Sequence, residues 1–315
     1  MYNNNHRDNE YISRLKNVIY KEYNINAIAI IPAKRGYYGE TWRLETSDNF
    51  YFIKLDYFPR HQKKFHNSLP VVEYLCNNGI DFINKIVKTC DGELCTLFNS
   101  AVLGVFEWID AENIETDNTK IPEYQMLCKI YPLTKQGFVI PTIEFSDEMA
   151  VRFYEKWRKL KAAPSNEIND SVRSIFEYNY EKLSHCSSRL SHFALLCQTN
   201  KSNFYITHGD AGGNFLVGKG RHYIVDWDEV MYAPLERDAW VMCCRDWAIN
   251  LFNDTLKQNC IPYELQLERL AFYCYYMFFY YLSEFIDDLT LHDTRKKIED
   301  YFSWIEERIH FADTI

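Results

Sequence analysis

Thr207-His208-Gly209-Asp210-Ala211-Gly212-Gly213-Asn214 runs into Phe215-Leu216-Val217, turns through Gly218-Lys219-Gly220, and returns as Tyr223-Ile224-Val225-Asp226-Trp227-Asp228. An apolar strand, Phe204 to Ile206, leads into a loop that holds Asp210. Glycines at 209, 212 and 213 let that loop fold tightly and take backbone angles closed to other residues. A hairpin as short as 215–225 brings its two ends together. The pattern therefore predicts that Asn214, Asp226 and Asp210 lie side by side.

Asp and Asn oxygens suit a hard divalent cation, and a further carboxylate can align a hydroxyl for attack. Phosphoryl transfer asks for little more, because positioning and charge neutralisation dominate it. His-Gly-Asp alone is a common turn. The information lies in the set, with Asn214 and Asp226-Trp227-Asp228 at workable spacing.

The rest of the chain divides by character. Asn9 to Tyr23 shows helical apolar spacing at Ile12, Leu15, Val18 and Ile19. Three strand-like runs follow: Ala27 to Ile31, Thr41 to Glu45 and Phe50 to Leu55. Alternation puts Tyr51 and Ile53 on one face of the third run, and Phe52 and Lys54 on the other. Ser68 to Asn77 reads as a helix with Pro70 in its first turn. Lys85 to Lys88, Leu94 to Phe98 and Val102 to Trp108 read as strands, with Asp91-Gly92 as a tight turn. Beyond Ile109 the chain reads as helices over 121–131, 146–161, 167–197, 236–256, 263–289 and 294–311, interrupted by the short segment 204–234. The expectation is an α+β protein with a small, mostly antiparallel β lobe over 1–108 and a larger helical lobe over 109–315.

His208-Gly209-Asp210, Asn214 and Asp226 resemble the catalytic loop and metal-binding Asp of the aminoglycoside phosphotransferase and choline kinase family, which has a two-lobed protein-kinase-like fold. Tyr51-Phe52-Ile53-Lys54-Leu55, Ile224 to Glu229 and Ala233 to Asp238 are most similar to its spectinomycin phosphotransferases. The resemblance implies ATP or GTP as co-substrate, with Asn214 and Asp226 holding Mg²⁺ and Lys54 on the α/β phosphates. It also implies that Asp210 orients the substrate hydroxyl, His208 shapes the loop and Asp238 braces it. Residues 34–39, with Gly36 and Gly39, would cover the phosphates. Phe106 to Ile109, with Phe106 and Trp108, would be the hinge that meets the purine. Asn214 follows Asp210 by four residues, where the family usually has five. Glu73 and Glu40 are the candidate acidic partners of Lys54.

Composition narrows the partners. The formal net charge of −9 and the lack of a basic run argue against nucleic acid. The acidic balance fits a small cationic hydroxylated substrate. Asp228 and Glu229, beside the catalytic Asp, are candidates to receive its ammonium groups. Glu284 and Asp288, four apart on one helix face, are a second pair, although a solvated helix end has the same pattern. The aromatic run Phe272 to Tyr281 is core packing or, in part, a pocket wall.

The 10 cysteines show no zinc-like spacing and read as reduced thiols. Met1 to Glu10 is polar, without the apolar core of a signal peptide. The longest apolar run, Leu270 to Leu282, is too short for a bilayer. A cytoplasmic protein without membrane contact is expected. Three functions remain open: an O-phosphotransferase on an aminocyclitol or aminoglycoside-type antibiotic, a kinase of a metabolite such as choline, homoserine or methylthioribose, and an inactive kinase-fold binding protein.

Overall fold

The computed structural model describes residues 7–33, 39–199, 203–289 and 294–315. Gly36 lies outside the described residues. The chain falls into two compact units. One comprises Tyr2–Pro141 with Ile206–Tyr232, the other Thr142–Tyr205 with Ala233–Ile315.

The first unit is built on an antiparallel sheet. Its strands are β1 (Ala29–Pro32), β2 (Glu40–Glu45), β3 (Phe50–Asp56), β4 (Ile86–Val87), β5 (Thr96–Phe98) and β6 (Ala101–Glu107). The order is β1-β2-β3-β6-β4, and β5 also pairs with β6. Alternation sorts the two faces. Ile53, Leu55, Leu103 and Val105 pack with Trp42 and Leu44 against Leu15 and Ile19 of α1 (Asn9–Tyr23). The opposite face, with Phe52, Val102 and Phe106, packs against Phe65 and Leu69 of α2 (Pro59–Asn77). Lys54 therefore shares a face with Phe52, as the sequence predicts, and points to the α2 side.

Helix α2 is longer than the expected 68–77. It begins at Pro59, whose missing N–H costs nothing in a first turn. His61, Phe65, Leu69 and Val72 are buried at helical spacing, but the polar run Arg60 to Asn67 disguises that stripe. Pro70 is an interior residue and cannot donate to the carbonyl one turn back.

Two segments beyond residue 109 complete this unit. One carries β7 (Ala111–Asn113) and α3 (Lys120–Ile130), and the other carries β9 (Phe215–Gly218) and β10 (His222–Ile224). The expected boundary after residue 108 does not coincide with this division, because β7 pairs with β9 and β9 with β10. The Ile224 N–H also donates to Phe82 O at 2.9 Å. A two-stranded sheet pairs β8 (Tyr205–Thr207) with β11 (Met231–Ala233).

The second unit is helical: α4 (Glu148–Ala162), α5 (Glu167–Tyr178), α6 (Tyr180–Thr199), α7 (Glu236–Ala239), α8 (Asp246–Gln258), α9 (Leu267–Asp287) and α10 (Thr294–Asp313). The single helix expected over 167–197 is two. Asn179 caps α5, with its side-chain amide on Ile175 O at 2.8 Å, and its own carbonyl starts α6. The helix expected over 236–256 breaks at 240–245, where a 3₁₀ turn and the extended Arg245 separate α7 from α8. The aromatic run of α9 is core: Phe272, Tyr273, Tyr275, Phe278 and Phe279 are fully buried. Among the described residues no helix is long and apolar enough to cross a membrane.

Candidate functional site

The hairpin register pairs Ile224 with Phe215 and Tyr223 with Leu216. One step beyond the ladder the Val225 N–H donates to Asn214 O at 3.1 Å. Asn214 and Asp226 are thereby neighbours, as the spacing predicts. The Asn214 amide donates to Asp210 twice, to the backbone O at 2.9 Å and to carboxylate Oδ2 at 3.1 Å. The loop is one residue tighter than the family pattern, and the two still meet.

Glycine makes that tightness possible. Residues 212–214 form a single 3₁₀ turn, and a Cβ at Gly213 would stand 2.8 Å from Asp210 Oδ1. Asn113 of β7 braces the turn from outside, donating to Gly213 O at 2.8 Å and Phe215 O at 3.0 Å.

His208 is almost fully buried. Its Nδ1 accepts the Asp210 N–H at 3.2 Å, which leaves Nε2 to donate to Val225 O at 2.9 Å. The ring therefore ties the start of the loop to the end of the hairpin, and it packs edge-on against Trp227 at 4.6 Å. The Trp227 indole N–H donates to Ile224 O at 3.1 Å. Asp226 adopts a left-handed backbone, φ 63° and ψ 64°. A non-glycine residue in that region is strained, and such strain collects at functional sites.

Lys54 reaches this cluster from β3. Its ammonium donates to Asp226 Oδ1 and Asp228 Oδ2, both at 2.6 Å. Burial works against its charge, but the two carboxylates more than offset this and hold its pKa above the ordinary lysine value. Asp226 and Asp228 respond in opposite directions. Burial raises both. For Asp226 the Lys54 charge and hydrogen bond outweigh it, and the carboxyl ends below its usual value. Asp228 is the less exposed side chain, at 21% against 44%. Burial, with the neighbouring Asp226 charge, pushes it up to about 7.

Neither expected partner of Lys54 is used. Glu73 pairs with Lys88. Glu40 accepts from Arg7, from Tyr11 Oη at 2.6 Å and from the Trp42 indole at 3.3 Å. Glu229 is held by Lys64 of α2, at 2.6 Å.

Gly39 has φ 73°, and a Cβ there would collide with the Leu55 carbonyl, so the backbone at Gly39 lies hard against β3. Phe106 is buried in the ladder opposite Phe52. The Glu107 N–H donates to Lys85 O at 2.9 Å, and that of Trp108 to Phe50 O at 3.4 Å. Glu284, Asp288 and Asp238 belong to the helical unit. There Glu284 is buried, 3.8 Å from Arg152, and Asp238 is buried in α7.

Sequence reasoning missed three participants. Asp56, at the end of β3, is buried, with Oδ1 accepting the Phe58 N–H at 2.9 Å, and burial raises its pKa. Lys120 of α3 is buried against Gly212 and bonds Glu123 at 2.9 Å and Glu115 at 3.1 Å. Phe65 lies beneath Lys54. The signal for Phe65 was its spacing from His61 and Leu69, hidden among charges. Nothing in the sequence ties Lys120 to residue 212.

The donors at this cluster are oxygens. With its amide group spent on Asp210, Asn214 keeps its carbonyl oxygen as an acceptor, and Asp226 keeps Oδ2 beside Oδ1. Among the described residues no group of three or more His, Cys, Asp or Glu could hold a metal. Mg²⁺ commonly takes one or two protein oxygens and completes its shell with phosphate and water. The donor set fits that use.

No family model matches the sequence. No curated protein matches it either. Solved structures do match. A spectinomycin phosphotransferase in complex with ADP and spectinomycin aligns with TM-score 0.72 and 18% identity, over 95% of this chain and 97% of that one. An amicoumacin kinase in complex with AMP-PNP and Ca²⁺ aligns with TM-score 0.62 and 13% identity, over 98% and 94%. The choline kinase of Streptococcus pneumoniae aligns with TM-score 0.57 and 15% identity, over 96% and 99%. At these identities the likeness is one of fold, and the chain has the α+β fold of these small-molecule kinases.

Proposed function

We propose that the protein transfers the γ-phosphoryl group of ATP or GTP to a hydroxyl of a small cationic molecule of the aminocyclitol or aminoglycoside type, in the cytoplasm, and so inactivates an antibiotic. The observation that carries the reading is the meeting, within one unit, of Lys54, Asp226, Asn214 and Asp210 on elements far apart in sequence. The fold shared with three small-molecule kinases supports it.

Lys54 supplies positive charge for the α and β phosphates, exchanging one carboxylate partner for phosphate oxygens. Asn214 and Asp226 would hold Mg²⁺, which supplies charge neutralisation at the β and γ phosphates. Asp210, exposed at the loop tip and fixed by Asn214, aligns the acceptor hydroxyl and takes its proton. His208 keeps that loop in register with the hairpin. Gly39 stands on the phosphate side of the nucleotide, and residues 106–109 meet the purine. Asp228, Glu229, Glu284 and Asp288 remain the candidates for substrate ammonium groups.

The test is nucleoside diphosphate release with Mg²⁺ and ATP or GTP, against spectinomycin, several aminoglycosides, choline, homoserine and methylthioribose. Stimulation by an antibiotic, abolished in Asp210→Asn with nucleotide binding retained, is the expected result. Stimulation by a metabolite alone would overturn the antibiotic substrate and keep the chemistry. No turnover and no Mg²⁺-dependent nucleotide binding would leave a binding protein of this fold.

A further inference from the structure

Lys54 stands directly opposite Gly104 in the β3–β6 ladder. Opposed residues project to the same face of a sheet, so the glycine leaves a hole beside the lysine on the side of α2. Phe65 fills that hole. A Cβ at Gly104 would stand only 2.7 Å from Phe65 Cζ. The Phe65 ring is fully buried, and the Lys54 ammonium lies over it, 5.2 Å from the centroid. Phe106 and Phe52 pack around the same ring.

The remaining surroundings of Lys54 point the same way. The only acidic residue of α2, Glu73, is engaged with Lys88. The residue beside Phe65, Lys64, is itself a cation and holds Glu229. Helix α2 thus offers Lys54 an aromatic face where an acid was expected, and the second carboxylate comes from Asp228. We infer that Phe65, seated in the gap left by Gly104, is the positioning residue for Lys54, and that it holds the ammonium on the phosphate-facing side of β3 without an ion pair to α2.

An aromatic face attracts a cation without taking up any of its hydrogen-bond donors. Lys54 can therefore trade Asp226 or Asp228 for phosphate oxygens while Phe65 still fixes its place. A helix carboxylate would add a negative charge close to the entering phosphates, and Phe65 adds none.

The inference rests on the proposed role of Lys54, so its test needs one readout that does not depend on turnover. Four proteins are compared: wild type, Phe65→Tyr, Phe65→Leu, and the double variant Phe65→Leu/Gly104→Ala, whose new methyl refills the volume that Leu leaves open. Melting temperature reports packing. The proton shifts of the Lys54 ε-methylene, assigned by their loss in Lys54→Arg, report the ring directly. Nucleoside diphosphate release with the responding acceptor gives kcat and KM.

The expected result is a double variant that melts near wild type yet turns over about tenfold more slowly, the equivalent of about 1.4 kcal/mol in the barrier. Its KM for nucleotide should change by less than about threefold, because the charge of Lys54 remains. The ε-methylene shifts should lose their ring-current displacement, and Phe65→Tyr should retain both rate and displacement. Recovery of the rate together with the melting temperature in the double variant overturns the inference, since Phe65 would then be packing alone. Unchanged ε-methylene shifts in that variant overturn it as well. If no acceptor supports turnover in wild type, the proposed function fails, and the shifts alone still decide the placement of Phe65.

Discussion

Gly213→Ala separates the catalytic geometry of the loop from its stability. The new Cβ would stand 2.8 Å from Asp210 Oδ1, which is 0.6 Å short of the 3.4 Å where ordinary contact begins. Asp210 cannot simply rotate away, because the Asn214 amide grips both its Oδ2 and its backbone carbonyl. The carboxylate must shift by about the missing distance. If 1 Å of misplacement costs about a hundredfold, a shift of this size costs roughly 15-fold in kcat, or about 1.6 kcal/mol. Stability should stay close to wild type. Gly213 is exposed and is not among the residues with positive φ, so alanine's restriction of the unfolded chain, about 0.4–1 kcal/mol, offsets the cost of displacing the carboxylate. The assay pairs nucleoside diphosphate release, with the responding acceptor or with water as a slow substitute, with thermal unfolding of the same preparations. A kcat within twofold of wild type at an unchanged melting temperature would refute the reasoning, because the position of Asp210 would then not set the rate. A drop in kcat accompanied by a clear loss of stability would refute it too, by assigning the effect to unfolding.

Lys54→Met should leave Asp226 and Asp228 facing each other without their cation, and should lower kcat by at least about a hundredfold. The Mg²⁺-dependent rise in melting temperature on adding nucleotide should shrink with it, as a thermal-shift titration will show. In the helical unit Glu236 is fully buried, with Tyr263 Oη at 2.5 Å, the Gln266 N–H at 2.7 Å and Arg269 at 3.1 Å. Glu236→Leu strands the buried Arg269 and should cost about 3–5 kcal/mol in urea unfolding. His61 accepts from Arg60 at 2.9 Å, and burial followed by the Arg60 charge lowers its pKa from 6.5 to about 4. The unfolded chain therefore binds this proton below pH 6.5 and the folded one only near 4, so stability is lost as the pH falls through that window. The loss should be on the order of 2 kcal/mol between pH 7 and pH 5, and absent in His61→Leu, as urea unfolding at the two values will measure.

The hairpin around residues 214–226 was legible because its information is local. Two short apolar runs and a glycine turn fix the register, and the register places Asn214 beside Asp226. The faces of β3 were legible for the same reason, since alternation needs only neighbours. The surroundings of Lys54 were not. They depend on Gly104 lying opposite Lys54 and on Phe65 arriving from a helix whose first three turns look like a charged loop. Glu73 is the acid that the sequence offers on that helix, yet the helix brings an aromatic ring and a lysine to this place. The sequence shows the charge of Asp228, which suits a cationic substrate, but not the 2.6 Å contact that Lys54 makes with it. The breaks at Asn179 and at 240–245 leave no mark in the sequence pattern, because the apolar periodicity runs through both.

The composition of the first unit also governs the timetable of folding. Lys54 and Asp226 are 172 residues apart in the chain, and Thr142–Tyr205 of the helical unit is made between them. At about 5–20 residues per second, the strand bearing Lys54 waits roughly 10–30 s on the ribosome before its carboxylates are synthesised. During that interval β7 has no β9 to pair with, and the lysine has the ring of Phe65 and the Asp56 carboxylate near it but neither of the carboxylates it bonds in the finished protein. The cluster around Lys54 is thus assembled late, by the return of residues 206–232, and a deletion of that segment removes Asp210, Asn214 and both carboxylates that hold Lys54.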